Sequence, residues 1–203
     1  RHPMVLYVNI GADKDGILTA IDLKAIMNSG AYGSHALTVM CNTGSKVLPL
    51  YRWPNIRFDG NTSYTNMPVG GAYRGYGATQ GAFAVEIALD ELAEKLGMDP
   101  LLLRQKNHIQ SGQSSPVFAA LGEGKPGVEM AIGSCGLPEC LEQGAQAFGW
   151  AEKRARERDT GRFRRGVGMC ALMQGSSIPE IDMASASVKM NEDGSFNLLV
   201  GAT

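Results

Sequence analysis

At 203 residues, with 44% hydrophobic residues and a formal net charge of -1, the chain reads as an ordinary globular protein able to bury roughly 70% of its unfolded surface. No basic stripe points to a nucleic-acid partner, no apolar run of about 18 residues points to a membrane span, and no signal-peptide pattern is read at the start of the sequence. Its four cysteines, Cys41, Cys135, Cys140 and Cys170, lack C-x-x-C spacing, so reduced thiols, a cytoplasmic location and no protein-built metal cage are expected.

Met4 to Ile10 and Ile17 to Ile26 predict two strands joined at Asp13-Lys14-Asp15-Gly16, because Asp-Gly is a strong turn signal. In the second strand Ile17, Thr19, Ile21, Leu23 and Ala25 alternate with Asp22 and Lys24, the pattern of one buried face. Asn28 to Leu50 is expected to be a loop with a short helix around Ala36 to Met40. Pro54 to Tyr64 then returns as an extended segment.

The organising stretch follows. Pro68-Val69-Gly70-Gly71-Ala72-Tyr73-Arg74-Gly75-Tyr76-Gly77 is a Gly-rich bend, in which the backbone can approach a ligand closely. An Arg between two Tyr residues beside a helix start suits a planar polar or anionic ligand. On local reading alone Arg74 could instead pair with a helix carboxylate or cap carbonyls, and Tyr73 and Tyr76 could be core aromatics. The next helix is marked by Val85, Leu89, Leu92 and Leu96 at helical spacing, with Phe83 and Ile87 widening the stripe and Glu86 mostly off it. Gly97 stops it. Asp99-Pro100 starts a second helix as N-cap and first helical residue, and Arg104 and Lys106 near its end suit the dipole.

Ser111 to Ser134 is Gly-, Ser- and Pro-rich and predicts a long loop or connection. Leu137 to Gly149 predicts a helix with Leu141, Ala145 and Phe148 on one stripe. Glu152 to Arg165 is a charge run, read as a solvated face. Gly166 to Met173 predicts a buried strand. Ala184 to Met190 and Phe196 to Val200 predict a final hairpin across Asn191-Glu192-Asp193-Gly194. Hairpins with packed helices make the fold class α+β. The expected organisation is residues 1–110 (hairpin, Gly-rich loop and helix pair), a linker over 111–134, and a helix and hairpin lobe over 135–203. A start at Arg1 without Met, and an end directly after a strand-like run, suggest a segment of a longer polypeptide.

Familiar catalytic motifs are missing. Gly75-Tyr76-Gly77-Ala78-Thr79-Gln80-Gly81 opens a helix, but no apolar strand precedes it and no strand-end acid follows about 20 residues on, so a dinucleotide site is not supported. His2, His35 and His108 are isolated, and no Gly-x-Ser-x-Gly elbow occurs.

Several linked elements carry a resemblance instead. Arg74-Gly75-Tyr76-Gly77, Gln80, Glu86 and Leu103-Arg104-Gln105-Lys106-Asn107 occur in that order. They resemble the molybdenum-cofactor subunit of the xanthine dehydrogenase and aldehyde oxidase family, over nearly the whole chain and most firmly from Arg1 to Asn107. The resemblance implies molybdenum–molybdopterin, with or without a cytosine dinucleotide tail, held beside Ala72, Tyr73 and Arg74. It places Tyr76 as the aromatic that stacks on the substrate ring. Asn42 falls where purine-oxidising relatives carry an Arg, which argues against xanthine. Ser176 and Ser177 fall where a second stacking aromatic and a neighbouring Thr are expected. The implied pocket is wider and more polar.

The implied reaction hydroxylates an N-heterocycle or aldehyde with water as oxygen source, and electrons leave through iron–sulfur clusters to FAD on other domains or subunits. The catalytic Glu is expected beyond Thr203 and further cofactor loops outside the segment. The rest of the molybdenum subunit is therefore an expected partner, and the isolated segment is expected to be inactive. The alternative is a non-catalytic α+β interaction or scaffold module that retains the family's fold.

Overall fold

Alternating apolar positions in three extended segments build one buried sheet face. The computed structural model describes residues 1–155, 161–175 and 184–201. In it β1 (Met4–Ala12), β2 (Leu18–Gly30) and β3 (Asn55–Tyr64) form a sheet of order β1-β2-β3. β1 and β2 pair antiparallel across a turn in which Asp13 Oδ1 accepts the amides of Asp15 and Ile17, both at 2.9 Å. β2 and β3 pair parallel, which requires a crossover between them.

Register puts Leu6 beside Ala25, Val8 beside Leu23 and Ile10 beside Ile21. On the other side Ile56 meets Ile21 and Phe58 meets Leu23. These residues share one face, since side chains two apart point the same way. Ile21, Leu23, Ala25 and Met27 are buried on it, while Val5, Tyr7 and Ile26 on the other face stay exposed.

The crossover supplies the first helix over that face. α1 (Ala36–Ser45) is followed by a 3-10 turn at Leu48–Leu50, so the segment expected to be largely loop holds a full ten-residue helix. Tertiary packing explains its length. Ala36, Val39 and Met40 bury against Ala25 and Met27, and about 1.5–3 kcal/mol per large buried apolar side chain outweighs weak helix propensity.

α2 (Ala78–Leu96) crosses close to α1. A Cβ added at Gly77 would lie 2.1 Å from Val39 O, and one at Gly81 2.2 Å from Thr43 O. Gly77 also has φ +79, so it serves both the turn into the helix and the close approach. Val85, Leu89 and Ala93 are buried with Ile21, Leu23 and Leu103 in the main core. Phe83 and Ile87 do not join it: they are exposed beside Leu6 and Val8 in an open groove. Glu86, read as off the stripe, is buried.

α3 (Pro100–Asn107) begins as read, with Asp99 Oδ1 accepting Leu101 N at 2.7 Å. A short helix α4 (Pro116–Ala120) interrupts the long loop. α5 (Leu137–Phe148) buries Leu141, and α6 (Trp150–Ala155) buries Trp150, whose indole nitrogen donates to the Asp99 carboxylate at 3.1 Å. Residues 166–173 form no ladder, which corrects the expected strand. Their backbone is recruited by a side chain instead: Ala171 N donates to Glu86 Oε2 at 2.9 Å.

Contacts group the chain into two units, Arg1–Met173 and Gln174–Thr203. In the second, β4 (Ser185–Met190) and β5 (Phe196–Gly201) form the expected hairpin, exposed on both faces. Among the described residues no helix is long and apolar enough to cross a membrane.

Candidate cofactor and substrate site

The Gly-rich loop is tied down at its entry and open at its tip. Thr65 N donates to Gly30 O, Ala31 N to Met67 O and Gly70 N to Ser29 O, at 3.0 to 3.1 Å. These bonds moor residues 65–70 to the end of β2. Underneath, His2 is buried against Gly70, where an added Cβ would lie 2.4 Å from the ring. Both imidazole nitrogens lack a partner among the described residues, and burial lowers the ring's pKa from its ordinary value.

Beyond Gly70 the loop presents donors. Ala72, Tyr73 and Arg74 are exposed. Among the described residues the amides of Gly71, Ala72, Tyr73 and Arg74 have no backbone acceptor, and the Arg74 guanidinium has neither hydrogen bond nor ion pair. Arg1 holds this stretch from the side. It donates to Tyr73 O at 3.2 Å and Arg74 O at 2.7 Å, and lies 4.9 Å from the centre of the Tyr73 ring. An accessible guanidinium beside a row of free amides fits an anionic, oxygen-rich group such as a pterin phosphate.

Tyr76 and Asn42 come together on a residue that sequence reading passed over. The close approach of α1 and α2 brings both to Glu123, in the turn after α4. Tyr76 donates its hydroxyl to Glu123 Oε2 at 2.9 Å, Asn42 Nδ2 donates to Oε1 at 3.2 Å, and Lys46 Nζ lies 3.5 Å from Oε1. Asn42 is buried, and its Oδ1 accepts the Ser45 hydroxyl at 3.2 Å. His35 meets the Tyr76 ring edge-on at 5.8 Å. Glu123 stands as a lone acid between two glycines in a loop without periodicity, so only the folded approach of the loop to α1 could reveal it. Ser176 and Ser177 lie outside the described residues.

A second constellation stabilises the helix pair. Arg104 is fully buried and donates to Glu86 Oε2 at 2.9 Å, Asp90 Oδ1 at 2.8 Å, Pro100 O at 3.1 Å and Glu86 O at 3.2 Å. The Tyr51 hydroxyl donates to Glu86 Oε1 at 2.7 Å. Burial would lower the Arg104 pKa, but Glu86 foremost, with Tyr51 and Asp90, holds it above the ordinary value. Burial and the Glu86 charge push the Tyr51 phenol far up. Arg104 lies in the last turn of α3, where the dipole favours a cation, as expected, and it is also fully buried as a core cation. Asn107 adds a strut: its side chain accepts Leu18 N and donates to Gly16 O and Leu103 O.

Known proteins match the chain in sequence and fold. The sequence profile of the molybdopterin cofactor-binding domain matches residues 1–108, and a second such profile matches 143–203. The chain is 41% identical over 197 residues to a probable hypoxanthine oxidase, XdhD, of Escherichia coli K12, covering 97% of this chain and 20% of that protein. It is 39% identical over 206 residues to that organism's putative xanthine dehydrogenase molybdenum-binding subunit, XdhA, covering all of this chain and 26% of that one. The structure of the aldehyde oxidoreductase from Desulfovibrio gigas superposes with a TM-score of 0.81 at 35% identity, over 98% of this chain and 21% of that chain. The chain therefore spans about a fifth to a quarter of the length of these relatives. With its α+β fold, it belongs to the molybdopterin-binding region of the xanthine dehydrogenase and aldehyde oxidoreductase family.

Proposed function

We propose that the chain forms one wall of the active site of a molybdenum hydroxylase that oxidises an N-heterocycle or aldehyde with water as oxygen source. The observation that carries the reading is the open loop at Ala72, Tyr73 and Arg74, whose guanidinium and amides are unengaged among the described residues, inside the cofactor-domain match over 1–108. When bound, the molybdenum cofactor supplies an activated oxygen nucleophile and a two-electron acceptor. This chain's share is to hold and orient.

In that reading Arg74 and the neighbouring amides grip the anionic part of the pterin, with or without a cytosine dinucleotide tail. The Tyr76 ring stacks on a flat substrate. Asn42 contributes a neutral, oriented amide in place of a cation, so charge developing on a purine ring goes unneutralised by this residue and xanthine is disfavoured. Ser176 and Ser177 widen the pocket by resemblance alone. The general base is a Glu outside this chain, iron–sulfur and FAD centres sit on other domains or subunits, and the setting is the cytoplasm. Isolated Arg1–Thr203 is inactive in this scheme.

The test uses the full-length protein. Metal analysis should find molybdenum, and steady-state kinetics over purines, pyridines and aldehydes should find turnover of at least one, with xanthine poor. Protein that folds, lacks molybdenum after expression in a cofactor-competent host and turns over no member of the panel is a scaffold instead. A marked preference for xanthine would overturn the assignment of Asn42 while leaving the family intact.

A further inference from the structure

Glu123 receives the Tyr76 hydroxyl, the Asn42 amide and the Lys46 ammonium, yet nothing in the motif pattern singles it out. Its side chain is only 9% exposed. A carboxylate this enclosed is costly unless its acceptor sites are filled. Here one cation and two neutral donors fill them, and they come from α1 and from the loop leading into α2.

The surrounding backbone is built to deliver it. Gly122 N donates to Lys125 O at 3.0 Å and Gly127 N to Ala119 O at 2.9 Å, closing a tight turn. Leu121 packs on Gly44 of α1, where an added Cβ would lie 2.8 Å from its Cδ2, and Gly124 packs on Leu37. The turn is therefore seated on α1 independently of the Glu123 contacts.

We infer that Glu123 is a positioning residue for substrate recognition: by holding the Tyr76 hydroxyl and the Asn42 amide at once, it fixes the plane of the stacking ring and the direction of the amide. The inference rests on the proposed placement of Tyr76 and Asn42 in the substrate pocket. Its physical basis is preorganisation. A ring held at its hydroxyl by Glu123 and at its edge by His35 loses little freedom when a flat substrate stacks on it. Asn42 is likewise oriented before substrate arrives, with Nδ2 toward Glu123 and Oδ1 toward Ser45.

Steady-state kinetics on full-length, molybdenum-loaded protein test this with E123A, E123Q, Y76F and the E123A/Y76F double variant. The probes are hypoxanthine, a pyridine, benzaldehyde and, as a substrate too small to stack, acetaldehyde. E123A should lower kcat/KM for the flat rings by about tenfold, mainly through KM, and that for acetaldehyde by less than about twofold, the scale of one charge-assisted hydrogen bond. Y76F should show the same selectivity, and the double variant should be no worse than the stronger single one, because both remove one link. E123Q keeps an oxygen for the Tyr76 hydroxyl but turns an NH2 toward the Asn42 amide and Lys46, so it should recover part of the loss.

Losses that are equal on all four probes, or that multiply in the double variant, or that are absent, overturn the inference. Should E123A fail to fold, Y76F and E123Q decide: Y76F without a selective loss, or E123Q losing all four activities equally, overturns it. Wild-type protein with neither molybdenum nor turnover sinks the parent reading, whereas an active wild type indifferent to Glu123 sinks this one alone.

Discussion

Two arginines divide the labour in this molecule. Arg104 is fully buried, with Glu86, Asp90 and two carbonyls around it. Arg74, thirty residues earlier, is exposed in the glycine loop and has no protein partner among the described residues. The core meets every donor of the first and leaves the second uncompensated. A buried cation must be matched inside the fold, so Arg104 belongs to stability. A solvated one costs nothing while it waits for an anion, so Arg74 is free to serve a ligand.

The largest effect should come from breaking the buried set. Glu86→Ala removes the main partner of Arg104 and the acceptors of Tyr51 and Ala171 N. It leaves the buried guanidinium with only the partly exposed Asp90 carboxylate as counter-charge, and about 3–5 kcal/mol of destabilisation is expected in urea unfolding. Replacing Arg104 and Glu86 together by apolar residues of similar volume should cost much less. A Glu86→Ala variant within about 1 kcal/mol of wild type would mean that Arg104 finds water, and the contrast drawn above would fail.

Arg74→Ala should invert the pattern. Its unfolding midpoint should stay near wild type, within about 0.5 kcal/mol, as for other exposed positions. Molybdenum retained by the full-length protein through gel filtration should fall, by the equivalent of about 1.5–3 kcal/mol for a charge-assisted contact. Full retention with an early melt would make Arg74 structural.

The same contrast explains what the sequence revealed. α2 and α3 were legible because their signals are local: Val85, Leu89 and Leu96 repeat at helical spacing, and Asp99 caps beside Pro100. The two Asp-Gly hairpins formed for the same reason. α1 was underestimated because its cohesion lies in the contacts of Val39 and Met40 with β2, and Gly77 and Gly81 admit it from thirty or more residues away. Residues 166–173 read as a strand on composition, but a side chain, Glu86, takes up the Ala171 amide, and no ladder forms. Glu86 and Glu123 illustrate one limit: periodicity can place a carboxylate on a helix or in a loop, but it cannot say which distant cation will bury it.

The smallest expected effect lies beneath the Gly-rich loop, at His2. Its ring is buried against Gly70 with no partner for either nitrogen among the described residues, and burial lowers its pKa from 6.5. The unfolded chain therefore binds a proton more readily than the folded one. The His2 contribution is complete above pH 6.5 and is lost as pH falls from there through the folded value. One proton limits the slope to about 1.4 kcal/mol per pH unit. His2→Phe keeps a flat ring against Gly70 and cannot titrate. Plotting the difference in unfolding free energy between wild type and variant against pH isolates this group from the carboxylates common to both. The difference should be flat above pH 6.5 and move against wild type below it. A flat difference down to pH 5 would show that the protonated ring is accommodated and that the loop rests on His2 in either charge state.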